Sequence, residues 1–296
     1  MSADAQGRVP VSVIIAAHDE EAVIGRCLDA LTPAVQGVPL QVIVSANGCS
    51  DATAEIARAR GAQVVERPEP GKPGALNAAE RVAVGFPRVY LDADIVPPAG
   101  ALGALAAALR ERPGVLATMP VRRVVTTGRT WPVRAYFRIN QRLPVFRSGL
   151  FGRGLIVVSE AGRARFAEFP ALTADDLFLD AQFAEAEKSE VAGVVVEVES
   201  PRTTADLVRR LVRVRRGNAE MRRAAETEGV AVRSADRWSW LRDVVRHDQR
   251  LAPAAVAYLA ITLLAAVRAR RSPSGDWGRD ESTRTPGTEP QKAGPS

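Results

Sequence analysis

Two aspartates, Asp92 and Asp94, follow an apolar segment at residues 88–91, and two prolines come shortly after them. If the extended backbone continues, residues two apart present their side chains on one face, so the two carboxylates would lie together. Adjacent carboxylates repel unless a positive charge lies beside them. A hard cation such as Mg²⁺ or Mn²⁺ suits these ligands, and magnesium completes its shell with water and phosphate oxygens. The motif therefore points to a metal bound with a phosphate-bearing ligand, although taken alone it is better explained as a solvated turn.

Three further polar segments follow predicted strands or open predicted helices: AAHDEE at 16–21, SANGCSD at 45–51 and GKPGALN at 71–77. Each could separately serve as helix capping, because Asp19 and Ser50 are residue types that favour the N-cap. Four such segments in this order and spacing are hard to explain by capping alone.

The elements that must position these segments alternate in type. Short apolar segments rich in β-branched residues predict strands at 11–17, 40–46, 62–66, 88–92, 114–121, 152–159 and 191–200. Helices are predicted at 20–31, 50–61 (with Ser50 as N-cap), 71–85, 99–110, 173–187 and 203–226. This alternation predicts an α/β fold with a mostly parallel, Rossmann-like sheet covered on both faces. In such sheets the ligand crevice lies at the carboxyl ends of the strands, where the polar segments fall.

Composition excludes some functions. The net charge of +6 invites a nucleic-acid interpretation, but nearly all of it is arginine in an alanine-rich chain without a recognition motif, so we expect no nucleic-acid partner. Cys27 and Cys49 lack metal-ligand spacing, which predicts reduced thiols in the cytoplasm. Residues 1–10 carry no apolar segment typical of a secretion signal.

Taken together, the four polar segments make the chain similar to family 2 glycosyltransferases with the GT-A fold, over about residues 9–220. The resemblance implies a GT-A domain (9–225), preceded by a flexible N-terminus (1–8) and followed by a C-terminal helical region (226–271). The last residues (272–296) are rich in Pro, Gly, Ser, Thr and charge, which predicts a disordered tail. The resemblance implies that Asp94 binds Mg²⁺ or Mn²⁺. It also implies a nucleotide-sugar site made of Ala17, His18, Asp19, Glu21, Asn47, Asp51, Lys72, Asn77, Asp92 and Ala93.

The sequence departs from the family pattern at two of these positions. His18–Asp19 replaces an asparagine-containing pair, and Asn47 stands where an aspartate usually contacts the nucleotide base. The second departure leaves the base, uridine or guanosine, open.

An acidic pair, Asp175–Asp176, opens the helix predicted from residue 173. By residue type alone, helix capping is the better explanation, since the helix dipole favours acidic residues there. The resemblance instead implies that Asp176 is the general base that deprotonates an acceptor hydroxyl, with Asp175 beside it. The same resemblance implies an acceptor pocket lined by Gly152, Arg153 and Gly154.

The helix at 203–226 carries an arginine cluster, of which Arg210, Arg213 and Arg216 could neutralise a leaving diphosphate. A solvated basic helix is the alternative. Processive relatives have a Q-x-x-R-W motif in this region, and here Arg210 and Val214 replace its glutamine and tryptophan. The resemblance therefore implies a non-processive enzyme.

The predicted function is metal-dependent, inverting transfer of a sugar from a nucleotide-diphosphate donor to an acceptor hydroxyl. The acceptor, whether lipid-linked, glycan or small metabolite, stays open. The alternative is an inactive sugar-nucleotide-binding or membrane-peripheral module with the same fold. A nucleotidyltransferase is disfavoured because no glycine-rich loop follows the first strand.

Residues 251–267 are uncharged and apolar, and arginines flank them at Arg250 and 268–271. The length is close to the shortest membrane span, roughly 17 residues. A core helix, an interfacial helix and a span all fit. The flanking arginines favour association with the inner face of the membrane.

Overall fold

A computed structural model describes residues 10–172, 174–228 and 236–271. Seven strands form one sheet in the order β3-β2-β1-β4-β6-β5-β7. The strands are β1 (Val11–Ala17), β2 (Leu40–Asn47), β3 (Gln63–Arg67), β4 (Arg88–Asp92), β5 (Ala117–Val125), β6 (Leu155–Val158) and β7 (Lys188–Glu199).

Helices connect the strands and cover the sheet. They are α1 (Ile24–Asp29), α2 (Pro33–Gln36), α3 (Thr53–Ala59), α4 (Lys72–Glu80), α5 (Ala101–Glu111), α6 (Trp131–Asn140), α7 (Val145–Ser148), α8 (Glu160–Arg163), α9 (Asp175–Ala181), α10 (Thr204–Glu228) and α11 (Ala252–Arg271). Shorter helical turns lie at Glu185–Glu187, Trp240–Val245 and Gln249–Leu251.

The predicted mostly parallel sheet is confirmed. β1 pairs in parallel with both β2 and β4, and β6 runs antiparallel to β4 and β5. Because β6 is reversed, its amino end lies at the same edge as the carboxyl ends of the other strands. Residues before β6 therefore join those after β1, β2 and β4 at one edge.

Both faces of the sheet are buried, as a parallel sheet requires. Along β1, Val13 and Ile15 pack into one apolar layer, and Ile14 between them packs into the other. All three side chains are fully buried. This alternation accounts for the continuously apolar strands, because each successive residue enters one of two separate cores.

Two local predictions were wrong. β4 ends at Asp92 and the chain turns at 93–94, so Asp92 and Asp94 do not share a strand face. Ser50 does not cap a helix, because α3 begins at Thr53, whose backbone N–H donates to Oδ1 of Asp51 at 3.0 Å.

The C-terminal apolar segment forms α11, which packs along α6 and α10. Within the described residues, Gln249–Arg271 is the single helical stretch long and apolar enough to cross a membrane. Only 28% of its most apolar window is buried, so one face packs inward and the rest is open. The predicted flexible N-terminus (1–8) and tail (272–296) lie outside the described residues.

Candidate active site

A cleft of about 380 Å³ opens where the parallel strands end and β6 begins. It collects side chains from loops that are far apart along the chain. The predicted residues that line it are His18, Asn47, Lys72, Asp92, Ala93, Asp94, Gly152, Gly154, Asp175, Asp176, Arg210 and Arg213.

Lys72, the first residue of α4, links two parts of this cleft. Its Nζ lies 2.7 Å from Oδ1 of Asp92 at the end of β4, and 2.9 Å from Oδ2 of Asp175 at the start of α9. Burial alone would lower the pKa of Lys72, but the two carboxylates raise it well above its usual range. Burial likewise opposes ionisation of Asp92, and Lys72 with Arg210 nevertheless holds the pKa of that carboxyl below its usual value. Lys72 and Asp92 are therefore both charged at neutral pH.

Asp176 lies beside this pair and behaves differently. Its Oδ2 accepts a hydrogen bond from the backbone N–H of Gly152 at 3.0 Å, and its Oδ1 accepts one from Leu177 at 2.8 Å. Burial and the neighbouring charge of Asp175 raise its pKa to about 6, against the opposing effect of Lys72. A carboxylate whose pKa lies near the working pH can accept a proton and return it, as a general base must.

The turn after β4 presents Asp94 to solvent at the cleft, between the buried Ala93 and Ile95. The turn packs tightly on Gly154, where a Cβ atom would lie 2.5 Å from Ile95. Lys72 contacts one carboxylate oxygen of Asp92, whereas Asp94 is exposed at the cleft. One carboxylate, completed by phosphate oxygens and water, is a ligand set that Mg²⁺ accepts.

Asn47 lines the cleft but also holds its walls together. Its Nδ2 donates to the carbonyl of Ala17 at 2.6 Å, and its Oδ1 accepts from the N–H of Gly71 at 2.9 Å. The side chain thus ties the end of β1 to the start of α4. An aspartate could not donate to Ala17, which gives a physical reason for the departure from the family pattern.

Other residues predicted to bind the donor join loops outside the cleft lining. Asp19 accepts from Ser50, Glu21 accepts from the N–H of Ala52, and Asp51 accepts from the N–H of Glu21. Asn77 exchanges two hydrogen bonds with the backbone of Phe169. These contacts position the walls of the site.

Two predicted arginines also lie away from the cleft lining. Arg153 is buried and pairs with Glu190 at 2.6 Å, while its guanidinium donates to the carbonyl of Gly149 at 2.9 Å. Arg216 lines a separate groove between α10 and α11.

A mixed set of potential metal ligands lies at the edge of the cleft. The ligand atoms of His18, Asp19 and Cys49 lie within 4.8 Å of one another. A set of nitrogen, oxygen and sulfur suits zinc better than magnesium, so it differs in chemistry from Asp94.

Sequence reasoning missed several polar residues near the site, among them Glu20 in the cleft lining. Glu199 and Asn218 line the cleft. Glu199 ends β7, so its place at a strand's carboxyl end was a usable signal. Arg122 stacks on Phe146, with its guanidinium carbon 3.8 Å from the ring centre, and burial together with Arg153 and Arg210 lowers its pKa to about 10. No pattern in the sequence marks it, because its neighbours come from four separate segments.

Comparison with known proteins identifies a related family. Residues 12–164, just over half of the chain, match the model of glycosyl transferase family 2. Asp175, Asp176 and α10 lie beyond the matched residues.

Individual relatives match over shorter or more divergent stretches. Glucosyl-3-phosphoglycerate synthase from Mycolicibacterium paratuberculosis is 38% identical over 96 residues, which cover 30% of this chain and 29% of that protein. The Mycobacterium tuberculosis synthase is 36% identical over 96 residues, covering 30% of each chain. The chain therefore spans about three tenths of these relatives' length.

A mannosyltransferase from Pyrobaculum calidifontis, solved with GDP-mannose and Mn²⁺, superposes with a TM-score of 0.59 at 24% identity. The superposition covers 92% of this chain and 79% of that one. At this identity the likeness establishes the shared fold.

Proposed function

Because this chain belongs to glycosyl transferase family 2, we propose that it transfers a sugar from a nucleotide-diphosphate donor to an acceptor hydroxyl. The proposed reaction inverts the configuration at the anomeric carbon and depends on Mg²⁺ or Mn²⁺. It is non-processive, so the product leaves after each sugar is transferred. The reasons below come from the cleft itself.

The observation that carries the proposal is the contact of Lys72 with both Asp92 and Asp175. It joins the strand end where a donor diphosphate would bind to the helix that bears Asp176. A base with a pKa of about 6 thus lies beside the proposed donor site. Strongly shifted pKa values cluster at functional sites, which supports a catalytic role for this third carboxylate.

On the donor side, Asp94 would hold the metal, which would neutralise the diphosphate as it leaves. Asn47 and His18 line the cleft on the side of β1 and β2, and there we place the nucleoside. Arg210 and Arg213 line the opposite wall and would also face the diphosphate, where charge develops during the reaction.

On the acceptor side, Asp176 takes the proton from the acceptor hydroxyl. The freed oxygen attacks the anomeric carbon as the bond from that carbon to the diphosphate oxygen breaks. A single displacement of this kind places the new bond opposite the old one, which gives inversion. Gly152 holds the carboxylate of Asp176 in place through its N–H, at the cleft wall where we place the acceptor.

The acceptor class, whether lipid-linked, glycan or small metabolite, is the part of the proposal that the cleft constrains least. The synthases that match part of this chain are named for a phosphoglycerate product. 3-Phosphoglycerate is therefore the first acceptor to test. We place the reaction in the cytoplasm, because Cys27 and Cys49 are both free thiols.

The decisive experiment is a thermal-shift screen of the full chain with UDP, GDP, TDP and CDP, each with Mn²⁺ or with EDTA. A ligand that binds only the folded state raises the melting temperature. We expect one nucleotide to raise it only when the metal is present. The same screen on Asp94→Ala should lose the metal-dependent rise.

The surface variant Arg81→Gln serves as the control for this screen, because Arg81 is 65% exposed and pairs only distantly with Glu168. It should respond as the wild type does. Flat responses to all four nucleotides in folded protein would instead favour an inactive module that has kept the fold.

A further inference from the structure

Helix α11 leaves a continuous apolar stripe on the surface. Exposed large side chains recur at the spacing of one helix face, and they are Val256, Leu259, Leu263, Leu264 and Val267. Val256 is 70% exposed and Leu263 is 55% exposed, so the stripe is open to whatever approaches the protein. A large exposed apolar face of this kind marks an interaction site.

The opposite face of α11 is part of the folded body. Ile261 is 5% exposed and Ala265 is fully buried, and both pack in a cluster with Leu207 and Val208 of α10. Tyr258 stacks on Tyr136 of α6 with ring centres 4.9 Å apart. A helix held along one side by the body cannot be surrounded by lipid, so α11 does not cross a membrane in this arrangement.

A basic groove runs along the same helix. It has a volume of about 480 Å³, and the described residues that line it include four arginines, Arg215, Arg216, Arg223 and Arg270, and one glutamate, Glu220. Nη2 of Arg216 is buried and has no hydrogen-bond partner among the described residues. Such a groove attracts anions, since guanidinium groups bind phosphate through paired N–H donors.

The final turn of α11 adds Arg268, Arg270 and Arg271 at the end of the apolar stripe. Apolar residues along one face with arginines beside and beyond them form the pattern of a helix that lies in a lipid–water interface. Anionic headgroups complement the arginines, and acyl chains complement the stripe.

We propose that this surface, formed by the exposed stripe of α11 and the arginine groove beside it, docks the protein on a bilayer containing anionic phospholipids. α11 lies in the plane of the membrane, with its buried face held by α6 and α10. α10 carries Arg210 and Arg213 in the cleft and Arg215 and Arg216 in the groove. One helix therefore connects the membrane surface to the active site. The proposal does not depend on the transferase reaction.

The test is co-sedimentation of the full chain with vesicles of phosphatidylglycerol and phosphatidylcholine, compared with pure phosphatidylcholine. We expect binding to the anionic vesicles, release by 1 M salt and little binding to the neutral vesicles. Alkaline carbonate should extract the protein from anionic vesicles. Retention after carbonate treatment would contradict a helix lying in the interface and would indicate a span.

Two variants test the two parts of the surface separately. Leu259→Asp with Leu263→Asp removes the stripe, and Arg216→Gln with Arg270→Gln removes positive charge from the groove. Each pair should reduce the fraction bound to anionic vesicles at least tenfold. Val84→Asp is the matched control, because Val84 is also exposed, at 49%, but lies outside this surface, and it should bind as the wild type does.

Circular dichroism and melting temperature will show that the variants fold, and salt release of the wild type tests the electrostatic part without any substitution. Absence of sedimentation with either vesicle type would overturn the proposal. So would a concentration-dependent dimer in sedimentation velocity that the stripe variant abolishes, because the stripe would then be covered by a second copy of the chain.

Discussion

At the scale of single residues, the cleft depends on the balance of charge around Lys72. Three carboxylates, on Asp92, Asp175 and Asp176, face one ammonium group. Two of them pair with the ammonium directly, and the third holds its proton more strongly. The three aspartates therefore separate two roles, pairing with the lysine and the proton transfer that we propose for Asp176.

Replacing Asp176 with Asn should remove the proposed base and leave the donor site intact. We expect kcat to fall by roughly 10²–10⁴-fold, the usual contribution of a positioned base. Donor binding, followed by thermal shift, should be unchanged. Normal turnover by this variant would rule out Asp176 as the base.

The pH dependence follows from the raised pKa of Asp176. The base must be ionised, and its pKa of about 6 means that kcat/KM should fall as pH drops through about 6. An ordinary aspartate, with a pKa near 3.8, would keep the enzyme active well below that pH. A pH–rate profile that stays level down to pH 5 would contradict this assignment.

Lys72 should set the pH at which kcat/KM falls to half of its maximum, which is the midpoint of the acidic limb of the pH–rate profile. The lysine lowers the pKa of Asp176, so Lys72→Met should move the acidic limb of the pH–rate profile to a pH above 6. Lys72→Arg keeps the charge and should leave the midpoint near its original value. Because the midpoint is independent of how much activity remains, the comparison is valid even if Lys72→Met turns over slowly. An unmoved midpoint would mean that the ion pair does not influence the base.

At the scale of elements, the turns at the sheet edge bring the two halves of the cleft together. The turn at 93–94 packs on Gly154, just before β6, where the backbone has φ +68°. Only a residue without a side chain permits both that conformation and that contact. The turn after β4 and its packing on Gly154 therefore set the position of Asp94.

Substituting Ala for Gly154 should expose this dependence. The left-handed backbone costs roughly 1–2 kcal/mol for a residue with a side chain, and crowding against Ile95 adds about 1–3 kcal/mol. Gly128→Ala is the matched control, since its φ is +70° but nothing lies within 4 Å of the added atom. Urea unfolding should show a clearly larger loss of unfolding free energy for Gly154→Ala. Equal losses of unfolding free energy would mean that the turn at 93–94 shifts to accommodate the added methyl group at little cost.

Local sequence patterns predicted most of the strands and helices. Contacts between residues far apart in the sequence account for the errors. The four strands β1–β4 were predicted within one residue at each end, because their apolar segments are short and bounded by polar residues. The N-cap at Ser50 was wrong, since Asp19, from another loop, accepts its N–H and hydroxyl. The second partner of Lys72, Asp175, is far away in sequence, and no spacing rule reveals such a contact.

At the scale of the whole molecule, α11 joins the C-terminal region to the rest of the protein. It packs on α10 and α6, and α10 in turn forms one wall of the cleft. From sequence alone, this apolar segment fits a core helix, an interfacial helix or a membrane span. In the structure, one face of the helix is buried in the protein core and the other face is exposed. Sequence composition cannot distinguish these cases, because both faces of the helix are uncharged between residues 252 and 267.

Alanine substitutions on the two faces of α11 should differ sharply in effect. Ile261→Ala leaves a cavity in the body and should lower the unfolding free energy by roughly 2–5 kcal/mol. Leu263→Ala, on the exposed stripe, should change it by about 0.5 kcal/mol or less. Chemical denaturation of the full chain without lipid gives both values. Similar small losses for both would show that α11 is not part of the folded body.

The order of the cleft residues along the chain has a consequence for how the protein can diversify. The proposed nucleoside and metal residues lie between His18 and Asp94, and the proposed acceptor and base residues, with the arginines that would face the diphosphate, follow from Gly152 onward. A single recombination event between these two segments would exchange acceptor preference while keeping the nucleotide chemistry. The junction would still have to preserve the contacts that cross it, among them the ion pair of Lys72 with Asp175 and the hydrogen bonds of Asn77 with Phe169. New specificities in this fold would therefore be inherited only together with the contacts that join the two segments, including the pairing of β4 with β6.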